Sequence, residues 1–299
     1  MELRALTWNV YHGRDFPPDP ALLTWRSRLL RISERNETHI QVNRDLFEEF
    51  AEILADAAWD VALLQEVPPR WRDPLAERCA AEAHRVLTSR NTLGPVRAFI
   101  ARFNPDLIAS NEGGSNLTLV RHRAGSITEC RELELARGPR PERRVMAFTR
   151  IALAGGGELC VANVHLSTGR ERRHLAEDEL ISSAEHAVAW ARTTPLILGG
   201  DLNLRPAQTP AFDELGHHFA LTGATGPNSL DHLLAHGLAV VEPATAWPPE
   251  RREVAEDGLA IRLSDHAPVS ARFELTARAS PSEISSHRSR PRPGGSDGG

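Results

Sequence analysis

Lysine is absent from this 299-residue chain; all 35 basic residues are arginine. Every cation is therefore a planar guanidinium able to grip a phosphate with two hydrogen bonds, although so complete a bias reflects genomic base composition before it reflects function. Cysteine is scarce. Cys79, Cys130 and Cys160 are odd in number and widely spaced, which excludes a disulfide framework and a paired-cysteine metal site and marks them as small buried residues of a reducing compartment. Aromatic residues make up only 5% of the chain, with a single tyrosine, Tyr11; a nucleic-acid groove built on stacking therefore has little to work with. The start, Met1-Glu2-Leu3-Arg4, lacks the pattern of a secretory signal, and no run approaches membrane-spanning length. A cytoplasmic location is expected, with no membrane span and no obligate protein partner. The formal net charge of −5 argues against a generic polyanion binder but leaves room for a local basic groove.

What the chain does contain is 41% hydrophobic and 25% charged residues, the balance of a soluble globular domain large enough to fold without staples. Strand-like and helix-like segments alternate, which predicts an α/β architecture. Residues 3–10 read as a strand, followed by an insertion over 11–44 with a short helix near 21–31. An amphipathic helix is predicted over 45–58, with Asp45 as its cap. A wholly apolar strand follows over 61–64, then a second helix over 70–84. Residues 116–166 read as a strand meander with turns at Gly138-Pro139 and Gly155-Gly156-Gly157. A long helix with Leu180, Ala184, Val188 and Ala191 on one face leads to a strand over 196–198, and the last strand covers 268–275. We expect one catalytic domain over 1–276 and a disordered tail over 277–299, rich in serine, proline, arginine and glycine.

Five polar clusters close apolar runs: Thr7-Trp8-Asn9, Gln65-Glu66, Asn163-Val164-His165, Gly200-Asp201-Leu202-Asn203 and Ser264-Asp265-His266. Strand alternation puts Thr7 and Asn9 on one face, and likewise Asn163 and His165. For the second pair, simple hydrogen-bond satisfaction at a sheet edge is the competing explanation. Glu66 emerges from a buried strand, where an unpaired carboxylate costs several kcal/mol. It needs a cation, either an arginine or a hard metal ion that would also take the Asn9 amide oxygen. Asp201 has the same need, and the glycines before it allow close approach. Asp231 is a candidate partner for His266, whose distal nitrogen it would orient. His232 is a weaker candidate, and His12, His39, His217 and His218 read as solvated loop residues.

The ordered series Trp-Asn, Gln-Glu, Asn-x-His, Gly-Asp-x-Asn, Leu-Asp-His-Leu and Ser-Asp-His-x-Pro resembles the endonuclease/exonuclease/phosphatase superfamily over residues 3 to 275. The resemblance implies a four-layer sandwich: two mixed, mainly antiparallel β-sheets face to face, helices outside, and the active site at one end. It further implies that Asn9 and Glu66 hold a divalent ion, Mg²⁺ or alternatively Mn²⁺, with Asp265 as a further metal-side acid. Asp201 would orient or deprotonate the attacking water. Asn203 and His165 would hold the phosphate, and His266, supported by Asp231, would bind phosphate or assist proton transfer. Asn116 is similar to a phosphate-contacting position, in a stretch that departs from the usual pattern.

The expected activity is metal-dependent hydrolysis of a phosphoester by direct attack of water. The substrate is a nucleic acid or another phosphodiester; the alternative is a lipid head group or small metabolite. Arg121, Arg123, Arg140, Arg143, Arg144, Arg170, Arg172 and Arg173 are the candidates for a basic groove. The 11–44 insertion leaves the first strand right after Asn9 and is expected to border the site. A degenerate binding module with the same fold is the contrasting reading, but such a module would have lost catalytic positions, and all of them are present.

Overall fold

The computed structural model describes residues 1–88, 99–100, 103–105, 114–137 and 143–275; the turn at Gly138-Pro139 and the tail beyond 275 lie outside them. The chain opens with strand β1, Glu2–Asn9. The insertion carries helix α1, Trp25–Leu30, and the small ribbon β2 (Glu34–Arg35) and β3 (Ile40–Gln41). Helix α2 (Phe47–Asp56), strand β4 (Val61–Gln65), helix α3 (Arg72–Arg78) and strand β5 (Ala81–Leu87) follow. A meander comes next: β6 (Ser115–Arg121), β7 (Gly125–Arg137), β8 (Arg143–Leu153) and β9 (Glu158–His165). Then come helix α4 (Arg173–Ala191), strand β10 (Leu196–Asp201), helix α5 (Ala211–Phe219), and strands β11 (Asp231–His236) and β12 (Leu238–Ala246). The hairpin β13 (Glu253–Glu256) and β14 (Leu259–Arg262) precedes the final strand β15, Val269–Leu275.

Two sheets result, ordered β12-β15-β1-β4-β6-β5 and β11-β10-β9-β8-β7. Only β1 with β4 and β9 with β10 run parallel in them, so each sheet is mixed and mainly antiparallel. The alternation of side chains divides the apolar residues among three layers of contact. Leu3, Ala5, Val61, Leu63, Val161, Ile197, Leu233 and Phe273 fill the space between the sheets. Leu6, Trp8, Ala62 and Leu64 face the other way, against Phe50 and Leu54 of α2 and Leu75 of α3. Ala162, Val164 and Leu198 do the same beneath Leu180, Ala184 and Ala187 of α4 and Leu215 of α5. This is the expected four-layer sandwich. Each large side chain so enclosed contributes about 2 kcal/mol through removal of apolar surface from water.

Several local expectations are corrected. The helix predicted over 70–84 ends at Arg78; Ala80 turns left-handed at φ 49° and Ala81–Leu87 pairs along β6 as an edge strand, so ladder hydrogen bonds override the helical propensity of an alanine-rich segment. The helix near 21–31 is shorter, because Pro20–Leu22 forms a separate 3₁₀ turn and Thr24 Oγ1 caps α1 by accepting from Ser27 N. Helix α2 starts two residues later than predicted, with Asp45 Oδ1 accepting from Phe47 N at 3.3 Å. Cys79 and Cys160 are buried as expected, but Cys130 is exposed on β7, since that strand ends its sheet. Helix α5, with Ala211 and Leu215 on its buried face, and strands β11 to β14 lie in a stretch where the sequence predicts no element.

Gly200 tests how tightly the site end is packed. Its φ is +140°, and a Cβ there would stand 1.9 Å from the Val164 carbonyl oxygen, so both conformation and space exclude a side chain. Gly200→Ala is expected to destabilise the protein by about 3 kcal/mol or more. Denaturant unfolding measures this; a change within about 0.5 kcal/mol, the level of an ordinary surface substitution, would contradict the packing described.

Candidate functional site

The face of each strand that fills the core turns polar at one end of the sandwich. Leu3 and Ala5 of β1 are followed on the same face by Thr7 and Asn9, Val61 and Leu63 of β4 by Gln65, and Leu159 and Val161 of β9 by Asn163 and His165. On β10, Ile197 is followed by Gly199 and Asp201. A layer of amides closes the apolar core: Gln65 Nε2 donates to Asn163 Oδ1 at 2.8 Å and to Thr7 Oγ1 at 3.1 Å, and Asn163 Nδ2 donates to the carbonyls of Leu64 and Leu117. These side chains are fully buried and their polar groups are partnered, as burial demands. Asn163 is thus a satisfied structural amide, whereas His165, one step further along, reaches the site.

Asp201 is the meeting point. Its Oδ2 accepts from Asn9 Nδ2 at 3.0 Å and lies 3.5 Å from His165 Nε2 and 3.7 Å from His266 Nε2. Its Oδ1 accepts from the backbone N–H of Asn203 at 3.1 Å, and Asn203 Nδ2 donates to the Leu166 carbonyl. Glu66 comes from the other sheet. Its Oε1 is 3.8 Å from His165 Nε2, and its Oε2 is 3.2 Å from His12 Nε2. Asp231, at the start of β11 directly opposite Asp201, bonds His266 Nδ1 at 2.7 Å. Asp265 Oδ1 stands 4.0 Å from His266 Nε2.

The loop that carries Asp265 and His266 is fixed by three anchors. Ser264 Oγ donates to the Asn9 carbonyl at 2.6 Å and accepts from His266 N, and Trp8 Nε1 donates to the His266 carbonyl. Buried Arg252 donates to the carbonyls of Leu263, Ser264 and His266. Backbone strain gathers at the same place. Tyr11, His12, Glu66, Asn203 and Ser264 account for half of the ten non-glycine residues with positive φ among the described residues; such conformations persist only where the surroundings enforce them.

The electrostatics set the imidazoles apart. Burial, then the charge of Arg144, presses His165 down to about 3, so it is neutral at pH 7. His266 goes the other way. Burial disfavours its charge, but the bond to Asp231 and the charges of Asp201, Asp231 and Asp265 outweigh that and raise it to about 10. Burial also pushes Asp231 upward while its bond to His266 pulls it down; the pair shares one proton, and the surrounding carboxylates place it on the imidazole. For Glu66, burial opposes ionisation, yet the adjacent His12 and the hydrogen bond from Asn9 hold it below the usual carboxyl range. Burial and the nearby Glu66 and Asp201 carboxylates raise Asp265 against the pull of His266.

Eight of the nine residues to which the resemblance assigns a role therefore converge: Asn9, Glu66, His165, Asp201, Asn203, Asp231, Asp265 and His266. Asn116 is placed differently. It is fully buried at the site end of β6, donates from Nδ2 to the Val145 carbonyl of the opposing sheet at 2.8 Å, and leaves Oδ1 without a partner. His12 was missed. Lying three residues past Asn9 in a short polar segment, it reads as a solvated loop residue, but its side chain is only 19% exposed and lies against Glu66. His39 likewise pairs with Glu253, and His232 is a buried residue bonded to the backbone of Thr225, Leu204 and Ser229. Of the basic-groove candidates, Arg121 and Arg123 serve the α2–β4 connection by donating to the carbonyls of Leu54, Ala55, Ala57 and Trp59, so they are structural. Arg140 lies outside the described residues.

Two donor sets could receive a cation. Asp201, Asp231 and His266 offer ligand atoms within 4.8 Å of one another, but their mutual hydrogen bond already uses Nδ1, and a protonated imidazole repels an ion. Asn9, Glu66 and Asp265 carry amide and carboxylate oxygens, the donors that hard divalent ions prefer; Asn9 Oδ1 already accepts from Tyr11 N at 3.0 Å and has its second lone pair to give. The like-charge crowding around Asp265 is what a cation there would relieve.

Residues 6–266 match the endonuclease/exonuclease/phosphatase family, so the chain belongs to this family of phosphoester hydrolases. Solved structures share its fold at low identity. The catalytic domain of human nocturnin, with bound sulfate anion, is 15% identical with a TM-score of 0.62, covering 92% of this chain and 94% of that one. Mannosyl-6-phosphatase of Bacteroides thetaiotaomicron is 14% identical with a TM-score of 0.60, covering 91% and 99%. An endonuclease/exonuclease/phosphatase of Beutenbergia cavernae is 18% identical with a TM-score of 0.61, covering 92% and 72%. No curated protein sequence matches the chain. Among the described residues no helix is long and apolar enough to cross a membrane.

Proposed function

We propose that this protein hydrolyses a phosphodiester by direct attack of water on phosphorus, with a divalent cation, Mg²⁺ or Mn²⁺, held by Asn9, Glu66 and Asp265. The observation that carries this reading is the convergence on Asp201 Oδ2 of Asn9, His165 and His266, brought together from both sheets. The ion would neutralise charge on the phosphoryl oxygens. Asp201 orients the water and takes its proton. Neutral His165 donates to a nonbridging oxygen, and the amide of Asn203, now on the Leu166 carbonyl, is free to turn to another. His266, kept protonated by Asp231, stabilises the extra charge of the transition state or protonates the departing oxygen. Asn116 ties β6 to β8 through its bond to the Val145 carbonyl.

The test is a hydrolysis screen with Mg²⁺ over oligonucleotides, phospholipids and small phosphoesters. Turnover of at least one phosphodiester, abolished by a chelator and restored by added Mg²⁺, is expected. Activity undiminished by the chelator would remove the cation from the reading, and preference for monoesters or lipid head groups would redirect the substrate assignment.

A further inference from the structure

A cavity of about 240 Å³ opens beside the site, bordered by Thr168, Arg173, Asn203, Arg205, Gln208 and Thr209. It shares Asn203 with the reacting centre and reaches Leu230, next to Asp231. A space of this size accommodates a tetrahedral anion with part of its hydration shell. Two guanidiniums face it. Arg173 donates only to the Gln208 carbonyl and side-chain oxygen, and Arg205 only to the Asn228 carbonyl; among the described residues neither pairs with a carboxylate. Other half-buried arginines that face acids do pair, as Arg150 does with Glu129 and Glu158 and Arg262 with Glu253. Glu177, one turn along α4 from Arg173, is engaged by the Thr209 hydroxyl.

A second observation concerns α4. Its N-terminal cap makes no side-chain hydrogen bond and its first turn holds no acid, the adjoining 3₁₀ turn Arg170–Arg172 contributing Glu171; Arg173 stands where the helix dipole favours negative charge. Guanidiniums without a carboxylate partner at one cavity leave a charge deficit that an anion fills.

We propose that this cavity is a subsite for a second, non-scissile phosphate, so that the preferred substrate carries two phosphates within a few bonds of each other. The inference rests on the phosphodiesterase reading of the adjoining site. Such a phosphate belongs either to a neighbouring nucleotide of a strand or to a small bisphosphate, and the chemistry that binds it is the same.

Two measurements test it. Calorimetric titration with inorganic pyrophosphate needs no turnover: Arg173→Gln and Arg205→Gln should each weaken binding about tenfold, the yield of one charge-assisted hydrogen bond, and affinity unchanged in both variants would overturn the proposal. Hydrolysis with Mg²⁺ then compares substrates differing only in the second phosphate, TpT against pTpT and a sugar monophosphate against its bisphosphate. The wild type should prefer the bearer of the second phosphate in kcat/KM by about tenfold in one pair, mainly through KM, and the preference ratio should fall to about one in the double variant. The pair that shows the preference identifies the source. A preference surviving both substitutions, or none in either pair, would overturn the subsite while leaving hydrolysis itself intact; absence of all hydrolysis with pyrophosphate binding still dependent on the arginines would fault the catalytic reading alone.

Discussion

Asp201→Asn should lower kcat on every phosphoester the protein hydrolyses by roughly a thousandfold or more, the scale of losing a positioned base together with its charge. The replacement is nearly isosteric, so Asn203 N can still find an oxygen at the Oδ1 position. What disappears is the negative charge that three side-chain donors surround. If the new amide nitrogen took the Oδ2 position, it would face Asn9 Nδ2 donor to donor, costing about 1–2 kcal/mol of stability. That is too little to unfold a domain of this size, so thermal melting and circular dichroism should stay close to wild type while turnover collapses. Full activity in the folded variant would remove Asp201 from the mechanism.

Glu66→Gln should reduce kcat/KM by roughly a hundredfold at millimolar Mg²⁺, and raising the Mg²⁺ concentration should recover part of the loss. The glutamine keeps the shape and the hydrogen-bonding reach toward Asn9 and His12, but it withdraws one of the two carboxylates proposed to hold the ion. Asn9 and Asp265 remain, which is why the defect takes the form of weakened metal affinity and not of a missing step. The Mg²⁺ dependence of kcat/KM in both proteins measures this. An unaltered dependence would mean that Glu66 serves His12 and His165 electrostatically, with no part in metal binding.

Much of this site was legible in the sequence for one physical reason. Strand alternation has a period of two, so a face that is apolar at Leu3, Ala5, Val61 and Leu63 and polar at Thr7, Asn9 and Gln65 announces the end of a core and the start of a cavity. Asp201 and His165 follow the same logic, and Asp231 meets His266 as the carboxylate partner of its imidazole. The parts that could not be read depend on long-range pairing. Nothing local to Arg252 shows that it binds three carbonyls of the 263–266 loop, and nothing local to His12 shows that a left-handed turn swings it onto Glu66. The alanine-rich segment after Arg78 has a helical composition, and only its pairing with β6 makes it a strand. Cys130 reads as a small buried residue, and its exposure is set by the position of β7 at the edge of its sheet. Asn163 shows the limit of motif reading most clearly, since its side chain is spent on carbonyls and Gln65 while the neighbouring His165 alone enters the site.

The most direct test is calorimetric titration of the substrate-free protein with Mn²⁺. Saturable binding is expected, weakened tenfold or more by Glu66→Gln. No binding by the wild type, or identical binding by the two proteins, would contradict the claim that carboxylate and amide oxygens from separate strands form a cation site at this end of the sandwich.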